Sequence, residues 1–293
     1  MHKSLFVHLA LLLVGLIYGA NYVIAKWAMP HYFGPFAFIV MRVCAATALF
    51  WLLDAVLNKP EKIALRDYRL LAVSAVFGVI VNQLCFFAGL NFTSAVNASL
   101  IMTMVPVIVL VVSYFVLRES ITSRKVTGLL LGLVGTVLLI FSREVSLQND
   151  GFVGDLLIVV NASSYSVYLV IVKPLMARYR SLTVIKWVFL FGMPVVIPFG
   201  ASQLGAVEWS LLPASAFWIL AFVILCTTFL AYLLNAWALK FVNASVVGIY
   251  IYIQPVFAGM LTIALGEEPF SWYKTFLALL IFAGVFLVSY RRK

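Results

Sequence analysis

Long apolar runs separated by short polar breaks set the architecture of this chain. Ten runs carry few charges, at about 5–26, 35–57, 69–90, 96–117, 124–142, 153–173, 183–202, 214–238, 245–265 and 272–290. Each is roughly 20 residues, the length at which a helix crosses a hydrocarbon core about 30 Å thick. In lipid every backbone N–H and C=O must be paired inside the protein, which leaves helices or a closed barrel. Barrel strands are about 10 residues long with in–out alternation. These runs are about twice that length and apolar all round. The stretch "IYIYI" at 249–253 reads locally as a strand, but it lies inside such a run and is expected to be helical. The expected fold class is an all-α integral membrane protein of ten transmembrane helices, with loops too short for a soluble domain.

The chain repeats itself. Residues 88–143 align with 237–292 without a gap: Leu90 meets Leu239, Phe92 meets Phe241, Ala95 meets Ala244, Pro106 meets Pro255, Glu119 meets Glu268, Lys125 meets Lys274 and Gly135 meets Gly284. "YGANYVIAK" (18–26) likewise aligns with "YSVYLVIVK" (165–173). The reading is two five-helix repeats, 1–145 and 146–293, forming one membrane domain. Five is odd, so the second repeat enters the membrane inverted, and inverted halves around a central cavity are a transporter design. The N-terminal run resembles a signal peptide in composition, but the repeat requires it as a partner for a later helix.

Composition adds little to this picture, and charge adds orientation. Hydrophobic residues make up 65% of the chain and charged residues 10%, with a net charge of +10. With alternating sides, fifteen basic residues fall on one face: Lys3, Lys59, Lys62, Arg66, Arg69, Arg118, Arg124, Lys125, Arg178, Arg180, Lys186, Lys240, Arg291, Arg292 and Lys293. Three fall on the other, Lys26, Arg143 and Lys274. The positive-inside rule then places both termini in the cytoplasm. The basic excess meets lipid headgroups rather than nucleic acid. Cys44, Cys85 and Cys226 all fall inside runs, as packing residues without disulfide or metal-ligand spacing.

"GLIYGANYVIAK", "GLNFTSAVNASLIMTMVPVIVLVVSYFVLRE" and "LLLGLVGTVLL", with their second-half echoes, resemble the EamA-type members of the drug/metabolite transporter superfamily over essentially the whole chain. The resemblance implies ten helices in two inverted halves, a central cavity, and export of amino acids or other small metabolites. The second half departs from the first where Tyr250, Tyr252 and Gln254 replace Ile101, Thr103 and Val105, so the cavity's chemistry is expected to be asymmetric.

Polar residues inside the runs must face protein or water. Pro106 and Pro255 recur at matched mid-run positions. Each removes a helical hydrogen bond and is expected to kink its helix, loosening carbonyls near 101–103 and 250–252. Helical spacing puts Tyr250 and Gln254 on one face with Tyr252 pointing elsewhere. It stacks Asn161, Tyr165 and Tyr168, and pairs Tyr18 with Asn21 and Tyr22. It brings Asn82 and Gln83 to mid-run, and groups Ser99 with Thr103 and Tyr232 with Asn235. Any one group could be interhelical glue. Together, amides and phenols from six helices predict a neutral polar cavity with aromatic walls. Arg42 either snorkels to the interface or presents a planar fork to a carboxylate. Lys26 and Lys173, matched by the repeat, read as snorkelling cations or as cations at the two mouths.

All ten acidic residues lie at run ends or in loops, and His2, His8 and His31 sit near ends. No carboxylate is expected at the membrane midplane, for proton coupling or for an organic cation. Glu119 and Glu268 precede the fifth and tenth helices, where an N-terminal cap would sit. No acid pair, "HExxH", Ser/His/Asp arrangement or phosphate loop appears, so enzyme and ATPase chemistry are not expected. No cofactor or metal is expected either. The expected function is a secondary transporter of the cytoplasmic (inner) membrane exporting small neutral or zwitterionic metabolites by alternating access. The alternatives are a nucleoside, purine or drug exporter and, in another class, a non-transporting membrane sensor or scaffold. The expected partners are a small-molecule substrate and membrane lipid, not nucleic acid, with the chain a monomer or homodimer.

Overall fold

The computed structural model describes residues 2–29, 31–58, 61–93, 95–141, 151–264 and 270–289. Among them every regular element is helical. In chain order these are α1 (His2–Ala28), α2 (Pro35–Leu57), α3 (Asp67–Ala75), α4 (Val81–Phe92), α5 (Ala95–Met102), α6 (Val105–Leu117) and α7 (Ser123–Phe141). They continue with α8 (Phe152–Ile171), α9 (Lys173–Arg178), α10 (Ser181–Gly205), α11 (Ala214–Phe222), α12 (Ala231–Leu239), α13 (Ala244–Ile249), α14 (Gln254–Ala264) and α15 (Trp272–Ser289). A π-helical stretch, Val76–Ile80, joins α3 to α4, and a second, Val223–Leu230, joins α11 to α12. A 3₁₀ turn, Tyr250–Ile253, joins α13 to α14.

Among the described residues, eight helical stretches are long and apolar enough to cross a membrane. The expected fourth run is divided into α5 and the shorter apolar α6, and the fifth is the 19-residue α7. The expected boundary near 145 lies outside the described residues, as does Glu268. The "IYIYI" stretch is helical, and its alternation has no partner strand.

Helices pair closely where glycine removes the Cβ. α7 crosses α15 at Gly128 and Gly284: a Cβ on Gly128 would stand 2.7 Å from the Gly284 carbonyl oxygen, and one on Gly284 would stand 2.6 Å from that of Gly128. α4 crosses α8 at Gly89 and Gly154, each within 2.9 Å of the other's carbonyl by the same measure. Without a hydrophobic drive between helices in lipid, such backbone approach is what holds a bundle together. The pairing is symmetric under exchange of the two aligned halves. α2 packs on α10 and α7 on α15, each against its own counterpart; α4 packs on α8 as α12 does on α1. The large apolar side chains left outside, such as Phe115, Phe152, Trp218 and Phe286, form the outer surface.

Candidate functional site

The breaks in the helices fall at matched places and surround one cavity. Pro255 follows the 3₁₀ turn and Pro106 follows the turn at Thr103–Met104, each in the first turn of a new helix, where a missing N–H costs nothing. The carbonyls that proline strips are partly reclaimed. Ile251, four residues before Pro255, accepts from the Gln254 N–H. Near Pro106, whose missing N–H leaves the Met102 carbonyl, the neighbouring Ile101 carbonyl accepts from the Met104 N–H at 3.0 Å. The expected free carbonyl at Ile251 is therefore paired.

The two π stretches also match, one per half. Such stretches insert an extra residue into a helix and expose carbonyls sideways. Around the first, partners come from the other half: Ser164 Oγ donates to the Phe77 carbonyl at 2.7 Å and Asn161 Nδ2 to the Asn82 carbonyl at 2.6 Å. The Tyr232 hydroxyl accepts from Gln83 Nε2 at 3.3 Å and stands 3.2 Å from both the Gly78 carbonyl and Asn82 Oδ1, one of which takes its proton. In the second stretch, Thr228 Oγ1 donates to the Val223 carbonyl at 2.8 Å and accepts from Arg42 Nε at 2.9 Å.

These elements form a central cavity of about 80 Å³, lined from both halves by Tyr18, Asn21, Tyr22, Arg42, Asn82, Gln83, Phe86, Phe87, Met102, Asn161, Tyr165, Thr227, Tyr232, Ile251 and Gln254. Arg42 is only 4% exposed, so it does not snorkel. Its guanidinium carbon lies 4.4 Å from the centre of the Phe87 ring, and Nη1 has no hydrogen-bond partner. Asn21 Oδ1, Gln83 Oε1, Asn161 Oδ1 and Thr227 Oγ1 are also buried and unpartnered. Tyr22, Phe86 and Phe87 meet edge to face, 5.8 and 5.0 Å between centres.

The sequence profile of the EamA-like transporter family matches residues 5–141 and, a second time, 152–290. The chain belongs to the EamA-like transporter family. It is a multi-pass membrane transporter. It is similar to "Uncharacterized transporter YyaM" of Bacillus subtilis (strain 168), 25% identical over 98% of this chain and 94% of the relative. An "Uncharacterized transporter" of Archaeoglobus fulgidus is 26% identical over 96% of both chains. "WAT1-related protein At4g30420" of Arabidopsis thaliana is 24% identical over 63% of this chain and 58% of the relative. A solved crystal structure aligns with a TM-score of 0.75 at 19% identity, over 96% of this chain and 95% of that one, a likeness of fold.

In this EamA-like chain ten of the sequence-predicted site residues line the cavity: Tyr18, Asn21, Tyr22, Arg42, Asn82, Gln83, Asn161, Tyr165, Tyr232 and Gln254. Five do not. Asn235 stands behind the wall, its Nδ2 donating to the Tyr165 hydroxyl at 3.3 Å. Tyr168 packs its ring against Gly78. Ser99 and Thr103 lie on and just after α5, and Met102 lines the cavity instead. Tyr250 is the main correction. With 3.0 rather than 3.6 residues per turn, the 3₁₀ turn puts residues three apart on one face. Ile251 therefore joins Gln254 at the cavity, and Tyr250 turns away to a neighbouring cleft beside His8.

Phe86, Phe87, Met102, Thr227 and Ile251 complete the lining. Phe86 and Phe87 follow Asn82 and Gln83 by one helical turn, a spacing that marks them. Nothing in the sequence marks the other three. Lys173 and Glu119, outside the cavity, have structural partners. Lys173 Nζ donates to the carbonyls of Leu239 and Val242 at 2.9 and 2.5 Å, closing the end of α12. The Lys26 side chain lies outside those described. Glu119 does not cap α7: its carboxylate accepts from the Ala244 N–H at 3.1 Å and the Ser245 hydroxyl at 2.7 Å, capping α13 in the other half.

Proposed function

We propose that this chain is a secondary exporter of small neutral or zwitterionic metabolites, amino acids first, working by alternating access between two inverted five-helix repeats, 1–145 and 146–293. The observation that carries this reading is the central cavity. It is built from both halves, carries unpartnered polar atoms on an otherwise apolar wall, and is bounded by helix breaks at matched positions in the two repeats. Buried polar atoms in a bundle of this kind are costly unless a solute or water meets them. Matched breaks at mid-helix are where transporter folds build their sites and hinges. Exchange of the two halves preserves the helix pairing, which is what alternation between two related conformations requires.

The charge asymmetry supports ten crossings of the cytoplasmic (inner) membrane with both termini in the cytoplasm. Among the described residues no carboxylate or histidine lines the cavity. Flux then runs down the solute's own gradient, or by exchange, and persists without a pH gradient. Counterflow in proteoliposomes with labelled amino acids, nucleobases and quaternary amines tests the reading. Accumulation of any of them supports transport. Accumulation of nucleobases alone moves the substrate to the purine and nucleoside class, and silence across the panel overturns transport.

A further inference from the structure

Among the described residues lining the central cavity are one buried cation, Arg42, and three buried amide oxygens without partners. Arg42 is held there rather than drawn to either interface: Nε is spent on Thr228, the guanidinium carbon sits over Phe87, and Nη1 is left without a partner. A charge in this position is costly and among the described lining residues no anion offsets it. The acceptors are equally specific. Asn161 must turn Nδ2 toward the Asn82 carbonyl, which only accepts, so the Asn161 atom left over is an oxygen. Gln83 spends Nε2 on Tyr232 and leaves Oε1; Asn21 leaves Oδ1. One unmet guanidinium nitrogen, Nη1, and three unmet amide oxygens are complementary to a solute with a carboxylate at one end and an N–H-rich cationic head at the other.

Resting on the transport reading above, we propose that the substrate is a zwitterion whose carboxylate docks on Arg42 and whose ammonium group is held by the amide oxygens of Asn21, Gln83 and Asn161. Arg42 is thereby the residue that sets specificity for the carboxylate. Lysine at this position would keep the charge but lose the planar fork and its stacking on Phe87. A solute lacking the carboxylate leaves Arg42 buried and unpaired, which should weaken transport by about 30-fold or more.

The test is counterflow in proteoliposomes of the full chain, with the twenty labelled L-amino acids, adenine, uridine and choline as probes. For each amino acid that moves, its carboxamide and its 2-hydroxy acid are then offered as competitors. Support is movement of at least one amino acid, with competition by the carboxamide lowered about 30-fold or more and competition by the hydroxy acid also reduced. Arg42→Met should abolish that movement and Arg42→Lys should retain part of it. The carboxamide comparison uses the unaltered protein, so the outcome stands even where Arg42→Met fails to fold. Equal competition by acid and carboxamide, or normal transport by Arg42→Met, overturns the subsite and leaves transport intact. Movement of adenine, uridine or choline without any amino acid does the same. Silence across all probes overturns both readings.

Discussion

His8 Nδ1 lies 2.8 Å from the Tyr250 hydroxyl, tying α1 to the 3₁₀ turn that separates two spaces. Ile251 and Gln254 face the central cavity, whereas Tyr250 and Ile253 line a cleft that also holds His8, Arg124 and Lys125. One turn of backbone is therefore the partition between the cavity and the basic face. Its 3₁₀ hydrogen bonds have poorer geometry than α-helical ones, so the turn is held from outside, by the His8 contact and by the Tyr252 ring against Gly132.

Tyr250→Phe removes that hydrogen bond and keeps the ring. A bond of this kind contributes about 1 kcal/mol, so a state in which the turn has moved away from α1, opening the cavity to the cleft, should be about fivefold more populated. With Cys44, Cys85 and Cys226 replaced by alanine, a cysteine at Thr227 reports it. Its modification by an impermeant thiol reagent applied to the Arg124 face should accelerate by that factor in Tyr250→Phe. An unchanged rate would mean that the turn stays shut without the His8 contact.

Gly132 and Gly205 make a second, independent comparison. A Cβ on Gly132 would collide with the Cδ2–Cε2 edge of the Tyr252 ring, whereas one on Gly205 would meet nothing within 4 Å. Gly132→Ala must displace a fully buried aromatic and should destabilise the protein by about 1–3 kcal/mol. Gly205→Ala, at the last residue of α10, should be neutral or stabilising by up to about 1 kcal/mol. Thermal unfolding in detergent reads both; equal melting temperatures for the two variants would contradict the packing at Gly132.

Helix positions and polar stripes were legible because each depends on local spacing, and lipid forbids most alternatives. The face presented at the 3₁₀ turn was not. Pro255 marks that the helix breaks, but the choice between Tyr250 and Ile251 at the cavity depends on how tightly four residues wind before it. The π stretches left no mark either: "VFGVI" and "VILCTTFL" are ordinary apolar segments. Their carbonyls are satisfied by Ser164 and Tyr232 in one case and by Thr228 with Arg42 alongside in the other, contacts that only the tertiary fold supplies. Arg42 was conspicuous as a charge inside a run. Its direction was set by Thr228, 186 residues away.

Asp54 and Lys186 form a buried ion pair, 2.6 Å apart, between α2 and α10, with the Lys186 Nζ 4.4 Å from the centre of the Trp51 ring. Asp54→Leu strands Lys186 and should cost about 3–5 kcal/mol. Lys186→Met should cost less, because Arg180 Nη1 still stands 3.6 Å from the other Asp54 carboxylate oxygen. The double substitution replaces both charges with apolar groups and should recover most of that loss. Unfolding of the four proteins in a double-mutant cycle measures the coupling. Additive losses would show that the two side chains do not depend on each other.

Gln254 and Tyr252 lie two residues apart and make opposite forecasts. Gln254 is 5% exposed and lines the cavity, and its amide can both donate to a solute and accept from it. Gln254→Leu keeps the approximate volume and leaves any polar group of the substrate unmet at that point. The loss is about 1–3 kcal/mol, or roughly ten- to hundredfold in affinity, while the melting temperature should hold. Tyr252 is fully buried, lies off the cavity, and carries a hydroxyl with no partner. Tyr252→Phe relieves that unmet group, so it should leave affinity unchanged and raise stability by up to about 1–3 kcal/mol. Substrate titration and thermal unfolding on both variants separate the effects. Normal affinity in Gln254→Leu together with weakened affinity in Tyr252→Phe would mean that the 3₁₀ turn winds the other face toward the substrate.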